Sequence, residues 1–164
     1  MAEYKSSIGK NVSLKVGKMG EGETMGVSLE QTACFLENTF DITNEEGESL
    51  ELRCEGGRVI DSTTKDGNIL ITGELYGLDD KNKFWQMDGN KVTSLVTDDF
   101  LSVDIAPDMA GATGIKAPKC KVSAGVAFNT AQGWRIPVTI TVMKTKGDKG
   151  YYWEYYVVGS ETDA

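Results

Sequence analysis

The chain is 164 residues long, carries 25 acidic against 17 basic residues for a formal net charge of −8, and contains no histidine. That length suits one domain spanning residues 1–164 around one core, and the charge excludes a surface built to grip nucleic-acid phosphates, which needs basic residues to displace counterions. Without histidine the commonest general base, the Ser-His-Asp and Cys-His arrangements and the usual zinc ligand are missing.

The first strand is expected over residues 11–16, where Val12, Leu14 and Val16 alternate with Ser13 and Lys15, the period of a half-buried strand. Gly17, Gly20, Gly22 and Gly26 then break the pattern. Their spacing lacks the third glycine and the following helix of a dinucleotide fingerprint, so a flexible turn is expected rather than a phosphate loop. From Gly26 to Ser49, apolar residues including Cys34, Phe35, Leu36, Phe40 and Ile42 keep no sustained period and are interrupted by acids and asparagines. A long loop carrying exposed hydrophobes is uncommon in a compact domain and is usually functional. The candidate assembly arm is therefore Leu36, Phe40, Asp41, Ile42, Glu45, Glu46 and Glu48; the bland alternative is an unread strand followed by a solvated acidic turn.

Next, Leu50, Leu52 and Cys54 alternate with Glu51 and Arg53 in a short strand that ends at Gly56 and Gly57, and Arg58 to Ser62 begins another. Lys65 to Asn68 is a strong turn signal, and Ile69 to Tyr76 reads as a central strand in which Gly73 marks a bulge or a close approach of another backbone. A helix is expected over Lys81 to Met87, capped by Asp79 or Asp80 and stopped by Gly89. Two turns are too short to be stable alone, so Phe84 and Trp85 are expected to pin it to a sheet. Asn90 to Ile105 reads as strand, turn and strand. Pro107 to Pro118 reads as a second long connection and candidate assembly loop, with Met109 and Ile115 as isolated apolar residues.

The most regular stretch is Lys119 to Lys144. Cys120, Val122, Ala124, Val126 and Phe128 alternate with small or polar residues, and so do Trp134, Ile136, Val138, Ile140 and Val142. Folding the two runs about Asn129 to Gly133 sets Phe128 opposite Trp134, Val126 opposite Ile136 and Val122 opposite Ile140, so both apolar sets share a face. The opposite face carries Ser123, Gly125, Ala127, Thr139 and Thr141, with Lys121 and Arg135 at the margins. It is either an ordinary exposed face or one that a second sheet, a helix or a neighbouring subunit covers. Tyr151 to Val158 is an aromatic final strand.

These elements predict a mainly β fold: two packed antiparallel sheets, sandwich or barrel-like, with one short flanking helix and long assembly loops. Cys34, Cys54 and Cys120 form no CxxC pair, and Cys54 and Cys120 fall in phase with apolar neighbours, as buried reduced thiols do. Neighbouring acids such as Asp79 with Asp80, Asp98 with Asp99 and Glu45 with Glu46 point apart or sit in turns, so none is expected to share a proton or a metal. No catalytic, metal or cofactor site and no membrane-spanning run is expected, and association is the expected role.

The order of a short leading strand, an acidic arm, a strand pair closing in Ile69 to Gly77, a short helix from Asp79, a Gly/Ala-rich loop and a Gly-Trp-Arg-Ile-Pro strand at Gly133 to Pro137 resembles the tail tube proteins of long-tailed phages, with Bacteroides-type phages and prophages nearest. The resemblance implies a virion protein made in the host cytoplasm and carried in the virion tail. Its partners would be copies of itself in hexameric rings and other tail proteins, with DNA crossing the lumen without specific binding. It also implies that rings stack through long loops. Glu51, Arg53, Ser123, Gly125, Thr139 and Thr141 are candidates for a contact or lumen face. The alternatives are a tail terminator, a secretion-tube relative, or a monomeric β-sandwich module that binds a carbohydrate or peptide through Trp85, Trp134 and the Tyr151 to Tyr156 cluster.

Overall fold

The computed structural model describes residues 11–36, 39–47, 49–64, 66–97 and 99–159. The protein is mainly β, as expected. Among the described residues, nine strands form one antiparallel sheet, and two further pairs form two-stranded sheets. The sheet is not closed into a barrel. In chain order the elements are β1 (Val12–Lys18), β2 (Glu30–Gln31), β3 (Asp41–Glu45), β4 (Ser49–Arg53), β5 (Val59–Thr64), β6 (Asn68–Tyr76), α1 (Lys81–Phe84), β7 (Gln86–Asp88), β8 (Lys91–Ser94), β9 (Leu101–Pro107), β10 (Thr113–Ala124), β11 (Ala127–Asn129), β12 (Gly133–Val142) and β13 (Glu154–Val157). The main sheet runs β2-β1-β9-β10-β12-β6-β3; β11 continues beside β12, and β13 pairs with β10.

The Lys119 to Lys144 hairpin is the middle of this sheet. Val122 lies opposite Ile140 and Phe128 opposite Trp134. Cys120, Val122, Ala124, Ile136, Val138, Ile140 and Val142 are all buried, each large apolar side chain contributing roughly 1.5–3 kcal/mol. Burial pushes the Cys120 thiol up to about 12. Val126 and Phe128 instead lie more than half exposed. Between Ala124 and Ala127 the ladder keeps one bond, from Gly125 N–H to the Pro137 carbonyl at 2.9 Å. Proline has no amide to return it, and the hairpin tip runs on past the core.

β10 is long because it changes partners. Its first half pairs with β13 and its second half with β12, while β9 follows both, with a register shift between Ala117 and Cys120. Buried Ser102 of β9 holds that shift in place. Its hydroxyl donates to the Pro118 carbonyl at 2.9 Å and accepts from Gly26 N–H at 2.9 Å.

The helix is one turn, shorter than the expected Lys81 to Met87. Gln86–Asp88 pairs with Lys91–Ser94 instead, because Gly89, at φ 62°, closes a hairpin turn rather than ending a helix. The expected cap is also different: Asp80 makes no capping bond. Its buried carboxylate accepts from Ala33 N–H at 2.8 Å and from Lys83 Nζ at 2.7 Å, tying the 32–36 segment to the helix. Phe84 and Trp85 do pin the helix to the core, and Trp85 donates its indole N–H to the Ala124 carbonyl.

Gly73 accommodates a ring rather than another backbone: a Cβ there would stand 2.5 Å from the Phe35 ring. Cys54, expected to be buried, is exposed, as is Cys34; Cys54 directly follows β4, a strand that does not join the core.

Replacing Ser102 with alanine leaves a buried N–H and a buried carbonyl without their hydroxyl partner. The variant is expected to lose about 1–3 kcal/mol of stability in urea unfolding; a loss below about 0.5 kcal/mol would show that the β10 shift does not depend on this hydroxyl.

Candidate functional site

The expected arm over residues 36–49 is not a free loop. Asp41–Glu45 is a strand paired with β6. Upstream, Leu36 N–H donates to the Glu74 carbonyl and Tyr76 N–H to the Cys34 carbonyl, so this segment also lies along β6. Phe40 packs on Phe35 with ring centroids 4.9 Å apart, against the core. The break between Leu36 and Asp41 destroys the period-two signal, which is why an edge strand reads as a loop. Asp41, Ile42 and Glu45 lie on the exposed edge, Glu46 follows in an exposed turn, and Glu48 lies outside the described residues, as does Lys65 of the next turn.

The element that does project is the β4–β5 hairpin. Every residue from 49 to 59 is exposed, and the two strands pair only with each other among the described residues. Leu50 and Leu52 share one face, 46% and 62% exposed. Glu51 and Arg53 occupy the other, joined by an ion pair, with Arg53 Nη1 also donating to the Gly57 carbonyl. Glu51 and Arg53 are therefore on a different surface from Ser123, Gly125, Thr139 and Thr141. At the hairpin root, Gly67 passes so close to the Glu45 carbonyl that no Cβ fits, and Tyr152 O–H donates to Asp66 at 3.0 Å.

The second expected loop is also corrected. Thr113–Ala124 is β10, so the connection shrinks to residues 108–112. Ile115 lies between Ile105 and Tyr155 and packs on the core. Met109 is half-buried in the turn, its carbonyl accepting from Ala112 N–H. Alternation across Gly114 to Pro118 is hidden by small residues and by the β10 shift.

The outward face of the main sheet falls into two halves. Across β10, β12, β6 and β3 run the rows Ser123–Thr139–Thr72–Asp41 and Lys121–Thr141–Leu70–Thr43, all exposed or half-buried. Gly125 sits at its margin beside Pro137. Across β1, β9, β10 and β13 runs a row of alternating charge, Lys15–Asp104–Lys116–Glu154. Tyr156 packs over Gly114 on this half and donates to Asp104. Opposite charges across strands stabilise the pairing, so this half is self-neutralised while the other is largely hydroxyl.

Sequence reading missed two features. One is a groove of about 760 Å³ between β1, α1 and Thr97, Asp99 and Leu101, built from segments that are distant in sequence. The other is the Glu23 clamp. Glu23, at φ 59° in the Gly20–Thr24 turn, pairs with Lys119 and accepts from Lys146 N–H at 2.6 Å. The bond to Lys119 and that to Lys146 hold its carboxyl below the usual value of 4.5. Among the described residues, no group of three His, Cys, Asp or Glu side chains is placed to hold a metal ion. No protein-family model matches the chain, and no curated protein matches it.

Two outcomes are expected. A carboxyl with a lowered folded pKa stabilises above its unfolded value and loses that contribution as pH falls through the folded one. Amide protection in the Gly20–Thr24 turn should therefore hold above pH 4.5 and drop below it, and Glu23→Gln should remove this dependence; an unchanged profile would sink the clamp. Leu50→Ser with Leu52→Ser, on an exposed hairpin, should shift thermal stability of the monomer by no more than about 0.5 kcal/mol.

Proposed function

We propose that this chain is a structural virion protein that associates with copies of itself, closing rings that stack into a phage tail tube for DNA passage. The observation that carries the reading is the β4–β5 hairpin. An isolated two-stranded hairpin is marginal in water, yet this one stands clear of the core with two leucines exposed. Such an element gains its stability from a partner surface, and a repeated head-to-tail contact closes rings or grows filaments. The arm is thus Ser49–Thr64, displaced from the segment that sequence singled out.

The hydroxyl half of the sheet supports the second part of the reading. Ser123, Thr139, Thr141, Thr72 and Thr43 dominate this half, and the exposed cation in its rows, Lys121, is offset by Asp41. On a chain of net charge −8, a polyanion would slide past such a face without adhering. The hexameric ring, the contacts with other tail proteins and the virion location rest on the resemblance.

A second reading, a monomeric module binding a carbohydrate or peptide, draws on a groove of about 520 Å³ where Tyr152 and Trp153 adjoin Asn44, Glu45 and Asn68. Aromatic faces beside amides and carboxylates suit such ligands.

Replacing residues 50–63 with Gly-Gly bridges the adjacent, directly paired Ser49 and Thr64. Negative-stain microscopy of concentrated wild type is expected to show rings or tubes, and the shortened variant only folded monomers. Tubes from the shortened variant would remove the arm assignment; uniform wild-type monomers at every concentration would favour the binding module.

A further inference from the structure

The tip of the β11–β12 hairpin is a paired, exposed aromatic feature of the main sheet. Phe128 and Trp134 face each other there with ring centroids 4.9 Å apart, 55% and 52% exposed. The turn beyond them carries Asn129, Thr130 and Gln132, none of them charged. A groove of about 760 Å³ lies elsewhere, between β1, α1 and Thr97, Asp99 and Leu101. Val16 and Leu101 form its apolar floor, Met19 and the fully exposed Val27 its wall, and Lys83 and Asp99 stand among its polar lining.

We infer that the Phe128–Trp134 pair of one copy seats in this groove of the next copy. The contact deepens the self-assembly reading and rests on it. Three considerations select a second copy as the occupant. A protruding apolar feature that matches a pocket elsewhere on the same molecule makes a heterologous contact, which closes rings or extends filaments rather than forming a closed pair. The groove, at about 760 Å³, has room for two aromatic side chains. Its polar lining carries both signs of charge, so an uncharged tip meets no net opposing field.

The area also sets the strength. Two aromatic side chains bury roughly 150–250 Å² each, so plug and socket together fall short of the ~1,200–2,000 Å² of a stable pair. The tip contact therefore works with the β4–β5 arm, each too weak alone, so that rings form cooperatively above a threshold concentration.

The test uses the full chain in two variants that alter only exposed side chains: a plug variant, Phe128→Ser with Trp134→Ser, and a socket variant, Val27→Asp. Sedimentation velocity and negative-stain microscopy follow assembly against concentration. Each variant is expected to fold as wild type and to need at least about tenfold more protein to assemble, as loss of an aromatic hot spot implies. The plug variant retains a socket and the socket variant a plug, so mixing them is expected to give pairs under conditions where neither associates alone.

If either variant assembles at the wild-type concentration, the plug-and-socket contact is wrong and the self-assembly reading survives. If the mixture gives no pairs while each variant is impaired, the tip and the groove bind something other than each other, and the contact is again overturned. A wild type that stays monomeric at all concentrations overturns the self-assembly reading and this contact with it.

Discussion

One cross-strand row of aliphatic side chains organises the centre of the molecule: Val122, Ile140, Ile71 and Ile42, lying side by side on β10, β12, β6 and β3. The first three are fully buried. Because side chains alternate with period two, a one-residue slip of any of these strands would turn its apolar set outward. The row therefore fixes register in β10, β12 and β6 at once, and β3 follows through its pairing with β6. It also fixes what faces away from the core. The next residues along each strand are Ser123, Thr139, Thr72 and Asp41, so the hydroxyl row is the obligatory reverse of the aliphatic one. The surface proposed for DNA passage and the packing of the core are one pattern seen from two sides.

Where that row ends, the chain becomes available for contacts. Pro137 lies inside β12, a central strand, which is an uncommon place for a residue without an amide. Its missing donor faces Gly125, and the β10 ladder lapses there before resuming at Ala127. The tip beyond keeps its register, since Phe128 still opposes Trp134, but it has left the core. At the other margin, β3 ends in a neck where Gly67 and Glu45 nearly touch, and the β4–β5 hairpin leaves through it. Both projecting features thus begin at a backbone irregularity, the missing amide of Pro137 and the close approach at Gly67, and both carry apolar residues that the monomer leaves in water.

The parts that were legible in the sequence are those where burial is one-sided and uninterrupted. The β10–β12 pairing and its register follow from alternation, and the anchoring of Phe84 and Trp85 from a helix too short to stand alone. What was not legible fails for identifiable reasons. β3 is an edge strand with five exposed residues, so it lacks the contrast between faces on which alternation depends. The first half of β10 runs through Gly114, Ala117 and Pro118, small residues that look like a loop, and its one-residue shift places Ala117 and Cys120 on the same side. The last turn of the expected helix is lost because Gly89 serves a hairpin turn as well as it serves a helix stop. Cys54 shows the limit most plainly: its alternation with Glu51 and Arg53 is that of a real strand, and nothing in one sequence tells a strand of the core from a strand of an arm.

Charge constrains how such surfaces are used. Copies of a chain with net charge −8 repel one another, and at physiological ionic strength that repulsion is screened beyond about 8 Å. Association then depends on surfaces that bring little net charge within that distance. The structure neutralises its charged regions internally: Lys15, Asp104, Lys116 and Glu154 alternate across four strands, Glu51 pairs with Arg53, and Lys119 with Glu23. What remains uncharged and exposed includes the leucines of the arm, the aromatic tip and much of the hydroxyl face. Net repulsion with a few neutral windows disfavours indiscriminate clustering more strongly than it disfavours a directed contact, because only the directed arrangement aligns the windows. Under the proposed self-assembly, the same balance would select the geometry in which copies join.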